Sequence, residues 1–349
     1  MKRRWIKVSD VILKVEGLRK KYVIDKDFFG REKSSVNAVD NVSFSIERGE
    51  SFGLVGESGC GKSTTARAIL KLIEGDGGRV VFEDKILFDF ENKHEISRKD
   101  MSALRKDMQI IFQDPFASLD NKMKIGKIIT EGIEKHKLAK GKKALEMAEH
   151  YLEICGVDKE AMDRYPHEFS GGQRQRIVIA RALAVQPKFI VADEPVAALD
   201  VSIQAQIINL LNELKEKYSL TFLFISHDLG VVKYFCDKIA VMYLGKIVEI
   251  GNRDELFENP VHPYTKKLLE SIPVKHPKLR KVMVNLDEDE LEVSKENKGC
   301  SFYNRCRYSS EVCLKKNPEL IEIKKEHFVA CHNLSLIHIS EPTRRSYIS

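Results

Sequence analysis

The chain has 349 residues and a mass of 39.9 kDa, enough for about two folding units or for one large unit with an appendage. Its 43% hydrophobic and 32% charged residues are typical of globular proteins and exclude a disordered chain. The net charge of +6 does not indicate a nucleic-acid binder, and it is compatible with docking near an anionic membrane surface.

No apolar run reaches the roughly 18 residues that span a bilayer, and no apolar signal core follows the charged N-terminus. We therefore expect a protein of the reducing cytoplasm. In that compartment the seven cysteines are thiols or metal ligands rather than a disulfide framework.

The first half of the chain alternates short strands and one helix. Loosely alternating residues predict edge strands that are joined by a polar loop, and a buried strand then runs through a glycine-rich turn into a helix. The predicted strands are 11–16, 38–46, 52–55, 79–82, 86–88 and 108–112, and the helix is 62–73.

The second half begins with a change of pattern. From about 120 to 165, Lys, Glu, Ala and Leu recur at helical spacing and predict an inserted helical subdomain. Strands and helices then alternate, which favours a mostly parallel α/β sheet. These elements are a helix at 177–185, a strand at 189–192, a helix at 202–218, a strand at 220–225 and paired strands over 238–251.

Residues 56–64 match the phosphate-binding pattern G-x-x-x-x-G-K-[ST], here Gly-Glu-Ser-Gly-Cys-Gly-Lys-Ser-Thr. The motif follows a strand and opens a helix, so backbone N–H groups and the helix N-terminus would face phosphate oxygens. We expect Lys62 to reach the β- and γ-phosphates and the Ser63 hydroxyl to bind Mg²⁺. The other predicted nucleotide-binding residues of this loop are Gly56, Glu57, Ser58, Gly59, Cys60, Gly61 and Thr64.

The apolar strand at 189–192 is followed by Asp193 and Glu194, which places both carboxylates at the edge where open α/β sheets bind ligands. Asp193 is suited to hold Mg²⁺ through water, and Glu194 is suited to polarise an attacking water. Two acids after a strand are more often a solvated strand end, but the phosphate-binding pattern upstream favours the catalytic interpretation.

Four further motifs identify a family. Residues 169–174, Phe-Ser-Gly-Gly-Gln-Arg, resemble the L-S-G-G-Q signature of ATP-binding-cassette ATPases, with Phe169 in place of leucine. Serine and glycines at a helix N-terminus form a second anion site. Gln113, Asp200 and His227 follow the order of the family's glutamine loop, D-loop and switch histidine. The signature residues added to the predicted nucleotide site are Ser170, Gly171, Gly172 and Gln173.

The resemblance covers residues 10–275 and implies an α/β fold with a P-loop (RecA-like) core, an antiparallel β subdomain, the inserted helical subdomain and a small C-terminal cysteine-containing extension. It implies an ATPase domain at 10–255 and an extension at 256–334. Two such domains would pair head to tail around ATP.

In such a pair, His227 would contact the γ-phosphate, and Gln113 would contact Mg²⁺ or the lytic water. Tyr22 lies where the family has an aromatic that stacks on adenine, although a half-buried aromatic at a strand end is the alternative. The helical insertion faces the membrane partner in the family, and we expect coupling to run through the segment after Gln113, where Phe116 and Leu119 lie.

Residues 258–265, Glu-Asn-Pro-Val-His-Pro-Tyr-Thr, resemble the C-terminal extension of the ATPases of oligopeptide and dipeptide importers. Residues 53–61 resemble the second of the two ATPase subunits that those importers use. This implies a peripheral ATPase on the cytoplasmic face of a bacterial membrane, without nucleic-acid partners. Its implied partners are two transmembrane permease subunits, a sister ATPase in a heterodimer and an extracytoplasmic peptide-binding protein.

Three alternatives are open. Relatives with this extension also import nickel or other small solutes. A second alternative is a soluble cassette that acts on nucleic acid or ribosomes. Such proteins usually carry two motif sets or a long coiled-coil insertion, whereas this chain has one motif set and a short insertion. A regulatory cassette without hydrolysis is disfavoured by Glu194 and His227.

The C-terminal region holds Cys300, Cys306, Cys313 and Cys331, and residues 300–306 resemble the family's C-x-F-x-x-R-C pattern. Four thiols in a short cytoplasmic segment favour a metal site. Members with this tail hold an iron–sulfur cluster, so the resemblance implies 4Fe–4S first, with Zn²⁺ or free thiols as alternatives.

A charged spacer at 275–298 predicts that the cysteine segment is a separate small module, distinct from the hydrolytic site. The remaining cysteines, Cys60, Cys155 and Cys236, are interpreted as packing or loop residues. Residues 335–349 fit nothing before them and resemble translated vector or adapter sequence, the alternative being a native disordered tail.

Overall fold

The computed structural model describes residues 11–26, 32–271 and 299–334. The predicted charged spacer and the predicted non-native tail lie outside these ranges. No helix in the described ranges is long and apolar enough to cross a membrane.

The first half of the chain folds into strands and short helices and ends in two longer helices. Its elements are β1 (Val11–Lys26), β2 (Glu32–Glu47), β3 (Ser51–Val55), α1 (Lys62–Ile69), β4 (Gly77–Phe82), β5 (Lys85–Asp89), β6 (His94–Glu95), α2 (Arg98–Leu104), β7 (Met108–Ile111), α3 (Pro115–Ser118), α4 (Ile125–Lys135) and α5 (Lys142–Ile154).

The second half alternates helices and strands before the C-terminal extension. Its elements are α6 (Gly171–Leu183), β8 (Phe189–Asp193), α7 (Val201–Tyr218), β9 (Thr221–Ser226), α8 (Leu229–Phe235), β10 (Lys238–Tyr243), β11 (Lys246–Asn252), α9 (Arg253–Glu258), α10 (Pro263–Glu270), α11 (Glu311–Lys315), β12 (Ile321–Lys324) and β13 (His327–Val329).

The antiparallel sheet has the order β2-β1-β4-β5-β6. Its first two strands pair from Val11 opposite Glu47 to Lys26 opposite Glu32, so the polar loop predicted between 16 and 38 is largely wrong. Beyond Lys20 and its partner Val39, the described residues of the hairpin are half-buried or exposed, and Ile24 is 66% exposed. The apolar alternation that marks a half-buried strand is therefore missing from this stretch.

The second sheet has the order β12-β13-β11-β10-β3-β9-β8-β7, and its strands from β10 to β7 are parallel. Every residue of β3, β8 and β9 is buried, as expected for parallel strands with both faces covered. Val55 lies opposite Ser226, and Asp193 lies opposite Ile225. The carboxyl ends of these three strands therefore meet at one edge.

Helices pack on this sheet and form the insertion. The region at about 120–165 contains α4 and α5, whose residues Ile129, Ile133, Ala148 and Leu152 are fully buried in the larger core. The helix predicted at 62–73 ends earlier, at Ile69, because Lys71 takes a left-handed backbone with φ of 50°.

The C-terminal extension is built onto the cassette, so the prediction of a separate module is wrong. Strand β13 pairs with β11, with Glu249 opposite Val329. Phe302 is 2% exposed, and its ring centroid lies 5.3 Å from that of Tyr243 and 5.5 Å from that of Tyr264. A segment this short cannot build its own core, and it shares the core of the cassette instead.

Candidate nucleotide-binding and hydrolysis site

The phosphate-binding loop connects β3 to α1 and lies against the backbone of two other strands. Gly56 and Gly61 have φ of 153° and 107°. A Cβ at Gly56 would lie 2.1 Å from the Met242 carbonyl oxygen, and one at Gly61 would lie 2.0 Å from that of Ala38. Only glycine fits at either position, so the curl of the loop follows from the sequence.

Lys62 begins α1 and is 4% exposed. Its Nζ donates to the carbonyl oxygens of Gly56 (2.8 Å) and Glu57 (2.9 Å), so the ammonium group lies within the concave face of the loop. Ser58 and Gly59 are exposed, and Thr64 is half-buried. These positions suit the binding of a polyphosphate along the loop.

Cys60 is buried, and burial raises the pKa of its thiol. Its carbonyl oxygen accepts a hydrogen bond from the Gly245 N–H at 2.9 Å. The side chain therefore packs beneath the loop, and its backbone fixes the loop to the β10–β11 turn.

Ser63 and Asp193 meet where α1 faces the end of β8. The Ser63 Oγ donates to Asp193 Oδ1 at 2.7 Å. Asp193 is 1% exposed, and burial raises the pKa of its carboxyl group. A hydroxyl and a carboxylate oxygen beside a phosphate loop are hard ligands, and this donor set fits Mg²⁺.

Glu194 joins three strand ends. Its Oε2 accepts a hydrogen bond from Gln113 Nε2 at 3.1 Å and lies 3.2 Å from His227 Nδ1. Its φ of 49° is unusual for glutamate, and its N–H donates to the Ile225 carbonyl. The structure thus brings together three residues that lie far apart in the sequence.

The signature residues lie at the start of α6, which begins before the predicted 177. Ser170 Oγ accepts from the Gln173 N–H at 3.4 Å, and Gln173 Oε1 accepts from the Ser170 N–H at 3.0 Å. This reciprocal capping leaves both side chains exposed. A Cβ at Gly172 would lie 2.7 Å from an Ile203 side-chain carbon, while Gly171 is half-buried beside Leu199.

Asp200 begins α7 and is exposed like the signature residues. In the described part of the chain, no hydrogen bond or ion pair joins the signature residues or Asp200 to the phosphate-binding loop. The predicted site residues on this protomer therefore form two separate groups, one around the phosphate-binding loop and one around the start of α6.

Tyr22, the predicted adenine-stacking residue, lies on the exposed half of the hairpin. It is 44% exposed, and Lys20 Nζ lies 5.3 Å from its ring centroid.

Two residues that the sequence prediction missed contact the phosphate-binding loop. Arg305 donates through Nη1 and Nη2 to the two carboxylate oxygens of Glu57, each at 3.0 Å. The Tyr264 hydroxyl accepts from the Glu57 N–H at 3.0 Å. Arg305 belongs to the C-x-F-x-x-R-C pattern, but nothing local indicates a partner 248 residues away.

The four C-terminal thiols are free, and Cys313 is buried. Burial, with smaller contributions from the other three cysteines, raises the pKa of Cys331 to about 11. Within the described ranges, no three His, Cys, Asp or Glu side chains are arranged to hold a metal ion. Burial also raises the pKa of Cys155 to about 12, and both Cys155 and Cys236 pack in the core.

Comparisons with known proteins decide the family. Residues 39–197 match the ABC transporter family, and residues 248–313 match the C-terminal region of oligopeptide/dipeptide transporters. The oligopeptide transport ATP-binding protein OppF of Bacillus subtilis is 50% identical over 88% of this chain and 93% of its own length. The chain belongs to this family of ABC transporter ATP-binding proteins. AppF of the same organism is 45% identical over 93% of this chain and 98% of its own length.

Solved structures agree on the fold of this ABC ATPase. The cbiO1 protein from Clostridium perfringens, part of an ABC transporter complex, is 28% identical with a TM-score of 0.60, over 72% of this chain and 92% of that chain. The cassette MJ0796, solved as a dimer bound to ADP and Pi, is 26% identical with a TM-score of 0.60, over 69% and 98% of the two chains. The predicted cassette fold is confirmed.

Proposed function

We propose that this chain binds and hydrolyses ATP and thereby powers oligopeptide import across a bacterial cytoplasmic membrane. The observation that carries the proposal is the position of Glu194, whose carboxylate lies between Gln113 and His227 at the sheet edge where Ser63 meets Asp193. The names of OppF and AppF, both oligopeptide transport proteins, support the substrate class.

The chemistry is a phosphoryl transfer to water, for which positioning and charge neutralisation are most of the catalysis. Glu194 polarises the attacking water, Gln113 orients it, and His227 contacts the γ-phosphate. Lys62 and the loop N–H groups hold the phosphates. Ser63, Gln113 and Asp193 would hold Mg²⁺, which neutralises charge on the phosphate oxygens when it is bound.

A second cassette completes the site. The exposed Ser170, Gln173 and Asp200 suit contacts across a head-to-tail dimer, and MJ0796 was solved as a dimer with ADP and Pi. The second cassette is a sister ATPase, and Tyr22 stacks on adenine. The pair docks on two permease subunits on the cytoplasmic side, supplied with peptide by an extracytoplasmic binding protein.

The predicted division of the chain is part of the proposal. Residues 10–255 are the ATPase domain, residues 256–334 are the extension, and residues 335–349 are vector or adapter sequence, with a native tail as the alternative. Import of nickel or another small solute is the alternative that the same ATPase geometry permits.

Reconstitution tests the proposal directly. The chain is assembled with its permeases, sister ATPase and binding protein in proteoliposomes, and ATP hydrolysis and solute uptake are measured with oligopeptides and with nickel. Hydrolysis and uptake stimulated by oligopeptide support the proposal. Stimulation by nickel alone would contradict the substrate, and absence of ATP hydrolysis would contradict the function.

Lys62→Ala tests the phosphate-binding role. The loss of a charge-assisted contact should weaken ATP affinity by about tenfold or more, measured by calorimetric titration. Lys71→Ala is the matched control, because Lys71 pairs with Glu95 and not with the phosphate-binding loop. Equal affinities for Lys62→Ala and Lys71→Ala would contradict the role of the loop.

Coupling to the membrane partner depends on Phe116, which is 52% exposed beneath the Arg174 guanidinium at 3.8 Å from its ring centroid. The same prediction for Leu119 is wrong, because Leu119 is 3% exposed and belongs to the core. Phe116→Ala should lower peptide uptake and spare basal hydrolysis. Leu119→Ala should instead reduce the free energy of unfolding by about 2–4 kcal/mol.

The four C-terminal cysteines are the ligand set for a 4Fe–4S cluster, or for Zn²⁺ as the alternative. Thiolates suit both groups. Within the described ranges the four side chains are not arranged around a common metal position, so binding would require them to converge. Anaerobically purified protein should be brown, with about four iron atoms per chain. Colourless protein with one zinc per chain would favour zinc, and metal-free protein would contradict both.

A further inference from the structure

Glu57, the second residue of the phosphate-binding loop, is held at its side chain and at both backbone groups. Its carboxylate accepts two hydrogen bonds from Arg305, its N–H donates to the Tyr264 hydroxyl, and its carbonyl oxygen accepts from Lys62. Two of these three partners come from the region after the cassette core. The loop conformation is therefore determined partly by the C-terminal region.

The contact between Arg305 and Glu57 has the geometry of a specific pair. Both N···O distances are 3.0 Å, which is the bidentate arrangement that gives guanidinium–carboxylate pairs their directionality. The side chains are 24% and 35% exposed, so solvent screens them only in part. Arg305 Nη1 also lies 3.4 Å from the Tyr243 hydroxyl, and the guanidinium lies within 6 Å of the Tyr243 and Phe302 ring centroids.

Arg305 is carried by a segment whose position is fixed. The Cys300 N–H donates to the Cys313 carbonyl oxygen at 2.7 Å, and the Ala330 N–H donates to the Val248 carbonyl oxygen of β11 at 2.9 Å. Phe302 is buried between this segment and the cassette. The guanidinium is thus held in place before any nucleotide binds, which lowers the entropic cost of ordering the loop.

We propose that Arg305 is a positioning residue for the phosphate-binding loop, acting through Glu57. The bidentate contact fixes the orientation of Glu57 and neutralises a carboxylate next to the place where polyphosphate binds. Without Arg305, the free carboxylate repels the phosphates and the loop N–H groups lose their fixed orientation. This inference rests on the proposed ATP-binding function.

A double-mutant cycle on the full-length chain tests it, with ATP affinity measured by calorimetric titration. Arg305→Ala should weaken ATP binding by about three- to fivefold, as expected for a partly exposed charge pair. In the Glu57→Gln background the same change should alter affinity less than about twofold, because the carboxylate that Arg305 neutralises is gone. Arg305→Lys, which keeps the charge but loses the fork, should give an intermediate affinity.

Arg307→Ala is the matched control. It removes the same charge two residues away, where the guanidinium lies over the Tyr308 ring at 4.8 Å, and it should bind ATP like the wild type. A role of Arg305 confined to packing on Tyr243 and Phe302 would give the same loss with and without Glu57. That result overturns the inference, and so does wild-type affinity in Arg305→Ala.

Two further measurements distinguish a folding defect from a binding defect: the thermal unfolding of Arg305→Ala and ATP binding by the wild-type protein. If Arg305→Ala has lost its thermal transition, Arg305→Lys decides instead, and wild-type affinity in that variant overturns the inference. Wild-type protein that binds no ATP overturns the proposed function and this inference with it. Intact wild-type binding together with an additive cycle overturns the inference alone.

Discussion

Glu194 and Glu249 each lie beside a histidine, but one pair is at the edge of the sheet and the other is buried in the interior. Glu194 lies at the sheet edge with His227, whose side chain is 56% exposed. Glu249 of β11 is fully buried and lies 2.8 Å from Nε2 of His327, which is 2% exposed. The Glu194 side chain is 12% exposed and both of its side-chain partners contact Oε2, whereas both carboxylate oxygens of Glu249 have partners within the chain.

The partners of Glu249 explain its role. Its Oε1 accepts from the Val261 N–H at 2.8 Å, and its Oε2 accepts from the His262 N–H at 2.9 Å. It therefore joins β11 to the turn before α10 and, through His327, to the extension. Under the proposed function, the pair at the sheet edge acts in catalysis, whereas the buried pair, with its acceptors satisfied, contributes to stability.

The largest expected effect is that of Glu194→Gln on hydrolysis. The amide cannot polarise water as a carboxylate does, so kcat should fall by about 10²–10⁴-fold while ATP binding persists. The melting temperature should stay within a degree or two of the wild type. Steady-state hydrolysis, titration and calorimetry check this, and a variant with wild-type kcat would remove the contrast between the two glutamates.

Glu249→Gln should have the opposite profile. An amide N–H₂ would face a backbone N–H or His327, and a buried donor without an acceptor lowers the free energy of unfolding by about 2–4 kcal/mol. Glu258→Gln is the control, since Glu258 is exposed at the end of α9. Chemical denaturation measures both variants, and equal stability of the two would show that the buried contacts contribute nothing.

Replacing the two histidine partners, His227 and His327, should give the same contrast between activity and stability, with smaller effects. His227→Ala should reduce kcat by about 10- to 100-fold without a change in melting temperature. His327→Ala should reduce the free energy of unfolding by about 1–3 kcal/mol and leave kcat of the folded fraction within about twofold. A fall in stability for His227→Ala, or a loss of kcat without unfolding for His327→Ala, would reverse the assignment.

The smallest effect concerns pH. Burial lowers the pKa of His262 to about 4, and its Nδ1 accepts from the Tyr264 N–H. The unfolded chain therefore binds more protons than the folded chain between pH 6.5 and 4, so this residue's contribution to stability is complete above pH 6.5 and is lost as the pH falls towards 4. The loss at pH 5 should be about 1–2 kcal/mol.

The variant His262→Asn keeps an acceptor for the Tyr264 N–H but does not titrate between pH 7 and 5. Its free energy of unfolding should therefore fall less over this interval than that of the wild type. Denaturation curves at both pH values give the two differences, and equal differences would contradict the prediction.

Local pattern and motif order were sufficient for much of the cassette. Phosphate chemistry requires Gly56, Gly61 and Lys62 at fixed spacing, and α10 begins at Pro263, where proline presets helix entry. A local signal was overlooked for α2, where Ser97 caps the helix with Asp100 three residues on. The roles assigned to the nucleotide-binding residues remain predictions.

The sequence could not reveal contacts between residues that lie far apart along the chain. His327 lies 78 residues from Glu249, and Arg305 lies 248 residues from Glu57, with no periodicity to relate them. The long hairpin was missed for another reason, since its solvated half buries too little to show alternation. Tertiary contact, not local preference, determines these features.

The pairing of β13 with β11 also has a consequence for how this protein can be cut. A fragment ending at residue 271 would leave β11 as an open edge with unpaired N–H and C=O groups, and it would expose the rings of Tyr243 and Tyr264 that Phe302 covers. Open edges of this kind template association between chains. Trimming this protein to its ATPase core should therefore yield a fragment that self-associates, and crystallisation or assay work is better served by the intact C-terminal region.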